Sequence, residues 1–152
     1  MHIALYQPEI PPNTGNVARL CAATNTHLHL IKPLGFSLED KYLRRAGLDY
    51  WPHVNLTVHE NWSAFLRAQP GRLVACSARA GDLYHQFAYH PDDCLLLGPE
   101  TVGLPIQVLQ QTQACVRIPI TDQVRSLNLS TATGILLYEA LRCTETLPAR
   151  NG

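Results

Sequence analysis

The run CLLLG, Cys94 to Gly98, sets the tightest limit on the fold. Side chains of an extended strand point alternately to its two faces. A strand with four consecutive apolar residues therefore has no face to give to water. Such strands lie inside parallel sheets, covered on both sides. Parallel neighbours need a long crossover, usually a helix. This one run thus predicts a chain in which short strands alternate with helices.

The rest of the sequence follows that prediction. Short apolar or alternating runs mark further strands at His2–Gln7, His27–Lys32, His53–His59, Arg72–Ala78 and Cys115–Ile120. Between them, Val17, Leu20 and Cys21 recur at helical spacing, so a helix of about ten residues is expected from Thr14, capped by Asn13 or Thr14. The preceding EIPPNTG reads as a loop, because its prolines cannot continue a strand. SLEDKYLRRAG carries a Ser37-x-x-Asp40 start signal and a Gly47 stop. A helix from Trp62 ends before Pro70, Pro105 suits a first helical position, and a last helix runs from about Asn128 to Arg142. The tail CTETLPARNG is expected to fray. The expected fold class is α/β, a mostly parallel sheet with helices on both faces, in a single domain over residues 1–152.

Composition narrows the functional classes. Twelve basic residues balance twelve acidic ones, so a polyanion partner would have to use a local cluster. No apolar run reaches the roughly 18–20 residues that cross a bilayer, so no membrane partner is expected. The start MHIALYQPEIPPN lacks a basic segment and a small-residue cleavage site, which reads as no signal peptide. The five cysteines are odd in number and form no CxxC pair, which suits reduced thiols in the cytoplasm. No GxGxxG follows the first strand, and GxxxxGK[ST], GxSxG and HExxH are absent.

The unusual loops come late: LLLGPETVGL (Leu95 to Leu104), RIPI (Arg117 to Ile120) and RSLNLS (Arg125 to Ser130). They combine glycine backbone, small hydroxyls and an amide, and they contain no lysine. That set suits an adenosine-like ligand better than a polyphosphate. Each piece also has a plain reading. Gly98-Pro99 makes a turn, Ser126 and Asn128 cap a helix, and Arg19 is a solvated side chain.

Taken in order, NTGNVARLC (Asn13 to Cys21), LLLGPETVGL and RIPITDQVRSLNLSTATGILLYEALR resemble the three motifs of the SPOUT-type RNA methyltransferases. The match covers about 140 residues. YQPEIPPNTGN and LIKPLGFSLEDKYLRRAGLDYW are similar to the minimal, single-domain subgroup that methylates the ribose of tRNA nucleotide 34. The resemblance implies a deep trefoil knot near the C-terminus, S-adenosyl-L-methionine as cofactor, a homodimer, and the tRNA anticodon stem-loop as partner. It implies cofactor contacts at Cys76, Gly98, Ile118, Ser126, Leu127 and Asn128. Catalysis falls to Arg19, with Asn16, Glu100 and Ser126 orienting groups nearby. Methyl transfer from a sulfonium needs no metal.

For RNA, Lys41, Arg44 and Arg45 share a helical face, and Arg117 and Arg125 adjoin the late loops. An ordinary solvated face is the competing reading. Ile135, Leu136, Leu137 and Tyr138 are consecutive and surround their helix, which fits burial against a second subunit or a central place in a monomer. His27 and His29 share a strand face, but no third metal ligand is evident, so a surface face is expected. The functional alternatives are a SPOUT enzyme for another tRNA or rRNA position, an idle RNA-binding module, and an unrelated nucleotide-binding enzyme.

Overall fold

The computed structural model describes residues 1–41, 43, 45, 50–68 and 71–150. Seven strands are β1 (His2–Tyr6), β2 (His27–Ile31), β3 (Leu56–His59), β4 (Leu73–Cys76), β5 (Asp82–Leu83), β6 (Cys94–Leu97) and β7 (Ala114–Arg117). They form one sheet in the order β3-β2-β1-β6-β4-β7-β5, with every pairing parallel. The α-helices that lie wholly within the described residues are α1 (Pro11–Thr24), α2 (Trp62–Ala68), α3 (Ile106–Leu109) and α4 (Leu129–Cys143).

The apolar run that sets the fold occupies the centre. β6 lies between β1 and β4, with Leu95 opposite both Ile3 and Val74. All four of its residues are buried. Leu95 and Leu97 join the core with Val17, Leu136 and Leu137, under α1 and α4. Cys94 and Leu96 join the opposite core with Phe65 and Val108, under α2 and α3. The two-residue period of the strand feeds both cores at once.

Several boundaries differ from the sequence-based expectations, each for a local reason. α1 begins at Pro11, with Ile10 as its N-cap and no side-chain cap. The prolines open the helix because its first turn has no use for their missing N–H groups. Asn13 and Thr14, expected as caps, are buried inside it. Asp40, rather than Ser37, caps the next segment, since its Oδ1 accepts from Leu43 N at 3.3 Å while the Ser37 hydroxyl accepts from Glu39 N. Lys41, Leu43 and Arg45 are helical there.

β3 starts at Leu56, because Trp51–His53 form a 3-10 turn. Pro105 is the N-cap of α3 and not its first residue. Ile118 to Ile120 leave the sheet after β7. β5 lies in a stretch that reads as merely polar. A Cβ on Gly81 would collide with the Cys115 carbonyl oxygen, so glycine lets this short edge strand reach β7. The tail begins with an ordered stop. Glu145 has a left-handed φ of 57°, and Thr146 N donates to Leu141 O at 2.9 Å.

One buried ion pair holds the turn before β6. The Asp93 side chain is 0% exposed and takes both Arg72 Nε and Nη2 at 2.8 Å. It also accepts from His90 N at 2.8 Å. Asp93→Ala would leave Arg72 Nε and His90 N unmatched and Arg72 Nη2 with only the Ala88 carbonyl oxygen, at 2.9 Å. Because Arg72 is 29% exposed, the expected loss is about 3 kcal/mol, the low end for breaking a buried pair. Urea unfolding checks this. A loss below about 1 kcal/mol would mean that water replaces the carboxylate freely.

Candidate active site

The carboxyl ends of β4, β6 and β7 open on a cleft of about 680 Å³, where open parallel sheets hold their ligands. Loops 98–104 and 118–128 and the start of α4 form most of its wall. Cys76, Gly98, Ile118, Ser126, Leu127 and Asn128 all line it, as do Glu100 and Arg125. Ser77, Arg79 and Thr101 also line it and were not singled out from sequence.

The loop residues are held by one another. Asn128 caps α4, its Oδ1 accepting from Ser130 N at 2.9 Å and Thr131 N at 3.4 Å. Its Nδ2 donates to Asn13 Oδ1 at 3.0 Å, which ties the start of α4 to α1. The plain capping role therefore holds for Asn128. Ser126 is not the cap, and it lies exposed in the wall of the cleft.

A Cβ on Gly98 would overlap the Leu104 nitrogen and lie 2.5 Å from the Gly103 carbonyl carbon. The glycine is therefore required by the fold of its own loop, where close approach to a ligand is the sequence-based expectation. Burial pushes the Cys76 thiol far up, with Cys115 and Cys94 adding to the effect. Cys76 Sγ contacts its own strand at the Val74 carbonyl, 3.8 Å away. It is an inert wall residue and not a nucleophile.

Glu100 has a definite structural task. Its Oε2 accepts from Glu9 N at 2.8 Å and Ile10 N at 3.1 Å. It thus supplies an anion at the start of α1, the end that favours negative charge and that has no side-chain cap of its own. Glu9 returns the contact by accepting from the Thr101 hydroxyl at 2.7 Å. The 98–104 loop and α1 are clasped from both sides.

Arg19 and Asn16 lie elsewhere. Both are exposed on α1, and neither lines the cleft. Arg19 is the ninth residue of the helix, not one near its start. Its guanidinium sits over the Tyr50 ring, 4.6 Å from the centroid. The cleft and the Arg19 face are thus separate surfaces of one chain. Lys41 and Arg45 are exposed, and Arg44 lies outside the described residues. Arg125 is exposed at the cleft, and Arg117 is half-buried at the end of β7.

On α4, Leu136 and Leu137 are buried while Tyr138 stays 45% exposed. One chain does not cover every side of this helix. The expectation of a lone histidine pair on a surface strand needs correction. His29 is buried, and His2 from the neighbouring strand supplies a third ring. Strand pairing creates that neighbour, and spacing along one strand cannot reveal it.

Tyr50 was also unreadable from sequence. Its ring lies under the Arg19 guanidinium. If Arg19 serves the chain's activity, Tyr50→Ala is expected to lower that activity by about tenfold, while Tyr50→Phe keeps most of it. Equal losses in both variants would shift the role from the ring to the hydroxyl.

The residues of the SpoU rRNA Methylase family model match this chain over positions 1–138. A tRNA (cytidine(34)-2'-O)-methyltransferase of Methylovorus glucosotrophus is 53% identical over 143 residues, spanning 92% of this chain and 93% of the relative. A solved structure described as giving insight into the 2-OH methylation of C/U34 on tRNA is 51% identical. It superposes with a TM-score of 0.90, covering 93% of this chain and 94% of the other. An AdoMet-bound rRNA methyltransferase from Sinorhizobium meliloti is 28% identical, with a TM-score of 0.85 over 93% of this chain and 55% of its own.

Proposed function

The chain belongs to the SpoU rRNA Methylase family, and from that membership we propose that it methylates the ribose 2′-hydroxyl of tRNA nucleotide 34, cytidine or uridine, using S-adenosyl-L-methionine. One observation carries the reading. The six residues expected at the cofactor converge on one cleft, in a chain whose close relatives over nearly their whole length bear that activity in their names. A ribosomal or other tRNA target is disfavoured by the same relatives.

The cleft fits the cofactor. Its volume lies within the range of about 300–1,000 Å³ usual for small-molecule sites. Leu97, Val116, Ile118 and Leu136 supply apolar walls, and Ser126 and Asn128 supply polar groups. Glu100 in the lining suits a cationic ligand, and Arg79 and Arg125 suit its carboxylate. When bound, the cofactor supplies a methyl carbon on a sulfonium that is already a good leaving group.

The protein aligns the acceptor and manages its proton. The ribose oxygen forms the new bond to carbon as the carbon–sulfur bond breaks in line, and the hydroxyl proton leaves. Arg19 clamps the RNA phosphate and stabilises the developing negative charge on the ribose oxygen. A guanidinium is a poor proton acceptor, so the phosphate or solvent is the better destination for the proton. Asn16 extends the same exposed face, and Glu100 steadies α1, which carries both. Lys41, Arg45 and Arg125 add phosphate contacts to the anticodon stem-loop.

The separation of Arg19 from the cleft supports a homodimer in which the Arg19 face of one subunit completes the cleft of its partner. The incompletely covered α4, with Tyr138 45% exposed, is a surface for that contact. Residues 1–152 act as one domain, and RSLNLS, Arg125 to Ser130, is the threaded loop of a trefoil knot. Among the described residues no helix is long and apolar enough to cross a membrane. The enzyme works in the cytoplasm on tRNA, and the methyl transfer takes no metal. An anticodon stem-loop with a single 2′-deoxy nucleotide at position 34 tests the reading. It should bind and accept no methyl group, whereas the all-ribose stem-loop is methylated. Equal labelling of both would refute the assignment.

A further inference from the structure

Four histidines meet on one face of the sheet, away from the cleft. His2 on β1 stands opposite His27 on β2, and His29 lies two residues further on the same face. His59 on β3 is opposite Ile31 and so shares that face. His2 Nδ1 is 3.0 Å from His29 Nε2, and His29 Nδ1 is 2.9 Å from His59 Nε2. The His27 and His29 rings stack at 4.1 Å, and His27 Nε2 is 2.7 Å from the Thr57 hydroxyl. One ring nitrogen from each of His2, His27 and His29 lies within 4.8 Å of the others.

We propose that His2, His27 and His29 form a binding site for a divalent transition metal such as zinc, nickel or copper, with His59 as the outer partner of His29. The proposal is independent of the methyl-transfer reading.

The chemistry follows from the contacts. Two imidazole nitrogens 3.0 Å apart share at most one proton. A metal ion accepts both lone pairs in its place. Two nitrogens each about 2.0–2.1 Å from a tetrahedral zinc ion sit roughly 3.3 Å apart, so the His2–His29 pair needs to open by only a few tenths of an ångström, while His27 must turn out of its stack on His29 to bring its nitrogen to the ion. A metal-bound histidine usually donates its other N–H to a fixed acceptor. His59 Nε2 is placed to receive that bond from His29 Nδ1.

His29 is 4% exposed, so its ring sits inside the sheet's cover rather than in solvent. The Phe65 ring closes the inner side, edge-on to His29 and His59 at 5.7 and 5.3 Å. His2 and His27 are only half-buried, which leaves an entry path and an open coordination position. The His2–His27 pair marks the amino ends of β1 and β2, whereas the cleft lies at the carboxyl ends of β4, β6 and β7. Nitrogen donors of this kind suit zinc, nickel and copper rather than magnesium or calcium.

The test uses the full chain without a polyhistidine tag, stripped with a chelator. Zinc alone, titrated by calorimetry, should bind one equivalent per chain and raise the melting temperature. His27→Gln should weaken binding by at least about tenfold, and the pair His2→Gln with His27→Gln should abolish both the binding and the melting shift. Copper alone, followed by electron paramagnetic resonance of the unmutated chain, should show three coupled nitrogens. That readout does not depend on how well the variants fold. Binding that survives the double substitution, fewer than three nitrogens, or no zinc-dependent shift would overturn the proposal and leave the rings as a hydrogen-bonded stack only.

Discussion

Arg19→Ala and Arg19→Lys are each expected to lower methyl transfer to tRNA by about 10²–10³-fold while leaving cofactor affinity nearly unchanged. The size follows from the task. The guanidinium offers a planar fork of donors to a phosphate or to a developing oxyanion, and lysine offers only a point charge. Lysine also loses the flat stacking on Tyr50, which holds the group 4.6 Å above the ring centroid. Cofactor affinity is spared because Arg19 does not line the cleft. Single-turnover methylation of an anticodon stem-loop reads the first quantity, and calorimetry with the demethylated cofactor product reads the second. If the lysine variant keeps more than about half of the activity, charge alone suffices and the fork is not needed. If cofactor binding falls in parallel, Arg19 supports the cleft rather than the acceptor.

Gly98→Ala is expected to leave the chain folded but to weaken cofactor binding by about 10²-fold or more. A Cβ there would press on the Leu104 nitrogen and the Gly103 carbonyl carbon, both backbone atoms that cannot rotate away. The 98–104 loop must then move as a unit, and it forms a wall of the cleft. Pro99, buried beside it, restricts where the loop can go. The comparison is Gly103→Ala. Gly103 has a φ of 70°, but an added Cβ meets nothing within 4 Å. That change should cost only about 1–2 kcal/mol of left-handed strain, with the cleft preserved. Equal loss of binding in both variants would show that the loop is plastic and that the crowding at Gly98 is not what shapes the site.

Much of this site was legible because it is built from local loop chemistry. The late loops stand out in the sequence for their glycine and small polar residues, and the strands that carry them are marked by Cys94–Leu97 and Ala114–Arg117. The convergence of those loops at one end of the sheet follows from parallel pairing. What sequence did not reveal depends on long-range contact. Glu100 holds Glu9 and Ile10, about ninety residues away, and Asn128 holds Asn13. Tyr50 meets Arg19 from the end of a separate crossover. The histidine cluster needs three adjacent strands in register, so the His27–His29 spacing alone shows only half of it. The start of α1 was missed for a different reason. Two prolines look like a break, yet their fixed φ and absent N–H suit the opening turn, and a distant carboxylate replaces the missing cap.

These contacts connect the two surfaces of the chain. Glu100 lines the cleft and bonds the start of α1, and α1 carries Arg19. Asn128 lines the cleft and bonds Asn13 on the same helix. The helix that carries Arg19 is thereby anchored to the walls of the cleft.

The most direct test of this account is methyl transfer from labelled S-adenosyl-L-methionine to total tRNA from a strain lacking the protein, with the modified nucleoside mapped by mass spectrometry. The account predicts a 2′-O-methylpyrimidine at position 34 and no other labelled site. Label on a base, or on a ribose at any other position, would contradict it.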